Sequence, residues 1–64
     1  MSESKNMLTT KELTLLKDLL LLEEAVCKKA RLYSTITMNV KLKGELENLS
    51  KKHEQRFLYL FSLL

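Results

Sequence analysis

The sequence predicts an all-α fold, namely a two-helix antiparallel hairpin that dimerises into a four-helix bundle. Two long stretches repeat apolar residues at helical spacing, and the whole chain holds one glycine and no proline. The first stretch is apolar over a wider arc than one neighbouring helix can cover. A hairpin of 64 residues also buries too little surface to be stable alone. A single cysteine cannot form an internal disulfide, so we expect the hairpin to be stabilised by self-association.

The first predicted helix runs from about residue 10 to about residue 38 and follows a flexible tail over residues 1–8. Thr9 and Glu12 have the spacing of a capping box, in which each side chain satisfies the backbone amide of the other residue. The helix carries one apolar stripe, Leu15, Leu19, Leu22, Val26, Ala30 and Tyr33, and beside it a second group, Leu13, Leu16, Leu20 and Cys27. Because both sets together span roughly 160°, more than one neighbour must cover them.

The second predicted helix covers about residues 40–63, so that residues 9–64 form a single hairpin domain. Asn39 is a suitable N-cap, and the apolar register changes just after it, which favours a turn at residues 37–40. A turn at Gly44 is the alternative, because two lysines followed by a glycine are typical of a helix C-terminus. The apolar stripe of this helix is Leu42, Leu46, Leu49, His53, Phe57, Leu60, Phe61 and Leu64.

Glu23 and His53 each interrupt an apolar stripe, and the residue count predicts that they meet. Glu23 precedes Asn39 by 16 residues and His53 follows it by 14, so their levels in an antiparallel hairpin differ by about 3 Å. We expect a buried hydrogen bond or ion pair that fixes the register, whereas a turn at Gly44 would separate the two residues. The alternative is a metal site, because a two-fold dimer would bring two copies of each residue into a four-helix core.

Composition and charge exclude several classes of function. The net charge of +3 combines 11 basic with 8 acidic residues, and both signs alternate along the chain, so no nucleic-acid partner is expected. One histidine and one glycine build neither a catalytic triad nor a phosphate-binding loop, so we expect no enzyme, no catalytic residue and no cofactor-binding residue. No signal peptide is recognisable and no membrane span is expected, which predicts a cytoplasmic location.

The order of these features resembles the spore coat F family of ferritin-like helical proteins. The likeness extends over about residues 8–61 and ends in an aromatic segment; its landmarks are Glu23, Glu24, Tyr33, Asn39, Leu46, Leu49 and His53. It implies a structural role in the spore coat, and Glu23 and His53 as ligands of iron, manganese or zinc. The chain departs from the family at Ser50, where the Glu of a Glu-x-x-His motif would stand.

The expected function is therefore that of a small non-enzymatic oligomerisation or structural protein, related to the spore coat. A ferritin-like metal-binding bundle formed by a dimer is one alternative, and a regulatory adaptor that binds another protein through its apolar helix face is the other. The predicted partner is a second copy of the chain. The predicted interface consists of Leu15, Leu19, Leu22, Val26, Leu46, Leu49, Phe57 and Leu60.

Overall fold

The computed structural model describes residues 8–64, which form two antiparallel helices. Helix α1 spans Thr10–Ile36 and helix α2 spans Val40–Phe61. Residues 8–64 contain no β-strand, so the prediction of an all-α hairpin is confirmed for this part of the chain. Apart from Leu8, the predicted N-terminal tail lies outside the described residues.

The N-terminus of α1 is held by the predicted capping box. The Glu12 amide donates to Thr9 Oγ1 at 3.0 Å, and the Thr9 amide donates to Glu12 Oε1 at 3.0 Å. The helix ends at Ile36 rather than at residue 38, because Thr37 takes an extended conformation with φ −75° and ψ 142°. A run of β-branched residues before this point lowers helix propensity, which accounts for the earlier end.

The turn lies at residues 37–39, and the alternative prediction of a turn at Gly44 is wrong. Asn39 caps α2, since its side-chain Oδ1 accepts a hydrogen bond of 2.8 Å from the Leu42 amide. Gly44 lies inside α2, within its second turn. The last helical residue is Phe61, two residues before the predicted end of α2.

The two helices meet along a seam that follows the second apolar group of α1 rather than its main stripe. Its buried or half-buried residues recur at alternating spacings of three and four. On α1 they are Leu13, Leu16, Leu20, Glu23, Cys27, Ala30 and Ser34, and on α2 Leu46, Ser50, His53, Phe57 and Leu60. This spacing is that of helices packed side by side at a shallow angle. Small side chains fill the half of the seam near the turn, and leucine and phenylalanine fill the other half.

The predicted main stripe of α1, except for the buried Ala30 and the half-buried Val26, remains exposed on one side of the hairpin. Together with neighbouring residues of α2 it forms what we term the leucine face, which consists of Leu15, Leu19, Leu22, Val26 and Tyr33 of α1 and Leu42, Leu46, Leu49 and Leu60 of α2. The two helices share this face, because Val26, Tyr33, Leu46 and Leu49 line one groove between them. Over residues 8–64 the hairpin itself buries only four apolar residues, which are Leu16, Leu20, Cys27 and Ala30.

Candidate functional site

Glu23 and His53 meet in the middle of the seam, as the residue count predicts. The Nδ1 atom of His53 donates a hydrogen bond to Oε1 of Glu23. Their side chains are only 15% and 16% exposed. Glu23 is the central residue of α1, 13 positions from both Thr10 and Ile36, so the pair lies halfway along the hairpin.

The surroundings of the pair explain why each residue requires the other. One helical turn away on α1 lie Leu20 and Cys27, and one turn away on α2 lie Ser50 and Phe57. A carboxylate in such an apolar seam costs stability unless a hydrogen-bond donor faces it. His53 supplies that donor at one level only, so sliding one helix along the other by a turn would separate the carboxylate from the imidazole.

The adjacent Glu24 has a different environment and serves as a comparison. Its Oε2 atom lies 3.2 Å from Nζ of Lys28, and its side chain is 45% exposed. An exposed pair of this kind, four residues apart on one helix, contributes only about 0.3–0.5 kcal/mol. The two consecutive glutamates therefore have separate roles, one in the seam and one on the surface.

Ser50 forms a second polar contact in the seam that the sequence analysis missed. Its hydroxyl donates to the backbone carbonyl of Cys27 at 3.1 Å and lies 3.4 Å from the Cys27 Sγ. The regular spacing of Leu46, Ser50, His53 and Phe57 is the signal that would have placed Ser50 in the seam. Because its hydroxyl is occupied within the hairpin, Ser50 contributes to helix packing.

One hairpin offers an incomplete donor set for a metal. Glu23 and His53 bring one carboxylate and one imidazole together, and residues 8–64 contain no group of three or more His, Cys, Asp or Glu side chains arranged to hold an ion. Protein sites for zinc or iron use three or four such ligands. A metal centre at this level would therefore need the same two residues from a second copy.

The concave surfaces of the hairpin are open grooves between the helices. On the leucine face, Val26, Ala30, Tyr33, Leu46 and Leu49 line a groove of about 200 Å³. On the opposite side a groove of about 330 Å³ is lined by Lys17, Leu20, Leu21, Glu24, Phe57 and Phe61. Shallow apolar grooves of this shape suit the side chains of another helix, because knobs of one helix insert between residues of its neighbours.

The predicted interface residues separate into two positions. Leu15, Leu19, Leu22, Val26, Leu46, Leu49 and Leu60 belong to the leucine face. Phe57 instead lies in the seam and lines the opposite groove, where its ring stacks on Phe61 with 6.1 Å between centroids. Phe57 is therefore separate from the surface that the other seven predicted interface residues form.

Neither helix over residues 8–64 combines the length and apolar content that crossing a membrane requires. Comparisons with protein-family models, with curated proteins and with solved structures gave no match to this chain.

Proposed function

We propose that the protein is a non-enzymatic structural protein that works by self-association, with two hairpins packed leucine face to leucine face in a four-helix bundle. The observation that carries the proposal is the imbalance between the core and the exposed leucine face. The hairpin buries four apolar residues, whereas Leu15, Leu19 and Leu22 are each about half exposed or more. A helix that is apolar on two sides is stable when each side has a neighbour.

The size of the leucine face fits a stable dimer. The hairpin measures 47 by 19 Å in the plane of its two helices. A face of these dimensions has a footprint of roughly 900 Å², and standard interfaces bury about 800 Å² per partner. The face is also more apolar than the average protein surface, as is typical of homodimer interfaces.

A matched pair of variants tests the proposal. Leu19 and Leu21 belong to the same helix and are 47% and 65% exposed, but Leu19 lies on the leucine face and Leu21 lines the opposite groove. In a dimer, Leu19→Asp replaces two buried leucines and places two carboxylates in the interface. Because the hairpin already covers about half of Leu19, the lost burial alone is worth about 1.5–3 kcal/mol per dimer, so the dissociation constant should rise at least tenfold.

Sedimentation equilibrium and circular dichroism give the readouts. We expect the wild type and Leu21→Asp to be helical dimers at micromolar concentration, and Leu19→Asp to be a monomer with reduced helix content. A wild type that is a folded monomer at these concentrations would contradict the proposal, and so would a Leu19→Asp variant that dimerises normally. A monomer that gains helix only in the presence of another protein would favour the adaptor instead.

A metal-binding bundle is the second candidate, and the Glu23–His53 contact favours it. Two copies would supply two carboxylates and two imidazoles near one level, a donor set that suits iron, manganese or zinc. Native mass spectrometry after incubation with Fe(II), Mn(II) or Zn(II) and desalting tests it. A dimer that keeps stoichiometric metal, and loses it in Glu23→Gln, would support this function; a metal-free dimer would favour the structural role alone.

The resemblance to the spore coat F family suggests where such a bundle would act. A self-associating helical protein suits a protein layer such as the spore coat, and we propose that location as part of the structural role. Immunofluorescence with an antibody against the chain, in cells of its source organism during sporulation, would test this. Signal confined to the cytoplasm of growing cells would contradict the spore-coat location.

A further inference from the structure

We infer that the two hairpins of the dimer pack with their turns at the same end, so that α1 of each copy lies over α2 of the other. This inference rests on the proposed self-association and adds its geometry. It comes from four exposed charged residues along the edges of the leucine face, which we term the rim: Asp18 and Lys29 on α1, and Glu45 and Arg56 on α2.

The positions of the rim residues follow from helix periodicity. Lys29 lines the groove on the leucine face, and Asp18 lies 11 residues earlier, which is about three turns and returns to the same edge. Glu45 and Arg56 are also 11 residues apart. Glu45 lies four residues before Leu49 and Arg56 lies seven residues after it, so both lie beside the α2 part of the leucine face. Each helix thus carries one acid and one base on its rim.

The order of the two charges differs between the helices. Counted from Met38 in the turn, Lys29 is 9 residues away and Glu45 is 7. Farther along the hairpin, Asp18 is 20 residues away and Arg56 is 18. At each of the two levels, one helix therefore offers a base and the other an acid, within about 3 Å along the axis.

Packing with the turns at the same end matches all of these charges. A two-fold axis parallel to the helices keeps every residue at its level and exchanges α1 for α2 across the interface. Lys29 then faces Glu45 of the second copy, and Asp18 faces Arg56 of the second copy. The symmetry repeats both contacts, which gives four attractive contacts around one dimer.

Packing with the turns at opposite ends creates a cluster of like charge. In that arrangement the two-fold axis runs across the helices, near the level of Glu23. Each helix then lies antiparallel to the same helix of the second copy. Asp18 and Lys29 still attract one another, but Lys52 of α2 comes within about 3 Å, along the axis, of Arg56 from the second copy. Four cations thus gather near the middle, whereas Glu45 of the second copy lies about five residues from Arg56 along the axis, or about 7.5 Å. Like charges placed opposite each other select against an arrangement.

Spin labels in the turn measure the orientation directly. Met38 is 96% exposed, so a label on Met38→Cys lies away from the seam, and Cys27→Ala removes the native thiol so that only this position is labelled. Turns at the same end put the two labels within about 25 Å, a distance set by the width of a bundle with helices 8–10 Å apart. Turns at opposite ends put them at about 40 Å or more, because α1 has 27 residues that rise about 1.5 Å each.

The three outcomes of the distance measurement have separate meanings. A short distance in a dimer supports the inference, and a long distance in a dimer overturns the inference but leaves the proposed function intact. The absence of dipolar coupling, together with a monomer in sedimentation, overturns both the inference and the proposed function. The unlabelled Cys27→Ala parent is the control for the oligomeric state.

Charge reversal tests the contacts themselves. Lys29→Glu and Glu45→Lys should each raise the dissociation constant roughly tenfold, because each turns two attractive contacts per dimer into repulsive ones. Combined in one chain, the two changes restore attraction and should return the constant to near its wild-type value. With turns at opposite ends, the same double variant would set Glu against Asp18 and would replace the acid nearest to the four cations by a lysine, and it would bind more weakly than either single variant. That result, or three unchanged constants, would overturn the inference.

Discussion

Replacing the Glu23–His53 pair tests whether it fixes the register of the hairpin. His53→Leu leaves the Glu23 carboxylate in the seam without its donor. Breaking a fully buried pair costs about 3–5 kcal/mol. The side chains here are 15% and 16% exposed, so water still reaches the carboxylate, and we expect a loss of about 2–3 kcal/mol.

The double variant Glu23→Leu with His53→Leu should behave differently from either single variant. It removes both polar groups at once and fills the seam with apolar side chains. Such replacements are often neutral or stabilising, so its free energy of unfolding should stay within about 1 kcal/mol of the wild type or exceed it. The two changes are therefore strongly non-additive, as expected of side chains in direct contact.

Thermal unfolding followed by circular dichroism is the assay. For a domain of this size 1 kcal/mol shifts the midpoint by about 4–8 °C, so His53→Leu should melt roughly 10–20 °C below the wild type. All variants must be compared at one protein concentration, because dimerisation makes the midpoint depend on it. Glu24→Leu is the matched control, since Glu24 pairs only at the surface with Lys28, and it should shift the midpoint little.

Two results would refute this reasoning. The first is a His53→Leu variant that melts at the same temperature as Glu24→Leu, which would mean that the carboxylate needs no partner. The second is a double variant that is less stable than both single variants or that no longer dimerises. In that case the polar pair itself would hold the assembly together, and the register would depend on its charge.

Three further changes test the local structure. Gly44→Ala should stabilise the protein by about 0.5–1 kcal/mol, because an added Cβ meets nothing within 4 Å; lower stability in chemical denaturation would show that this surface is covered. Thr9→Ala should cost about 1 kcal/mol by removing the capping box, and faster hydrogen exchange in the first turn should accompany it, with Thr10→Ala as the unaffected control. Asn39→Ala should cost a similar amount at the start of α2, whereas Met38→Ala in the same turn should not; equal effects would contradict the role of Asn39 as cap.

Local features of the chain were readable from the sequence because they depend on residues close together. The capping box requires only Thr9 and Glu12, three positions apart, and the cap of α2 requires only Asn39 and the amide of Leu42. The pairing of Glu23 with His53 required one further step, the position of the turn. Once the turn is fixed, the constant rise of a helix determines which residues share a level.

The choice of face was decided only by the tertiary structure. Helix α1 has two apolar surfaces about 90° apart. The spacing of its apolar residues indicates burial for both of them equally. The pattern of α1 predicts that more than one neighbour covers these surfaces, but it does not say which surface packs on α2. The hairpin buries the group through Leu20, because the small side chains of Ala30, Ser34 and Ser50 fit between the helices next to the short turn. Packing depends on both helices and their connection together, and the amphipathic pattern of one helix cannot describe it.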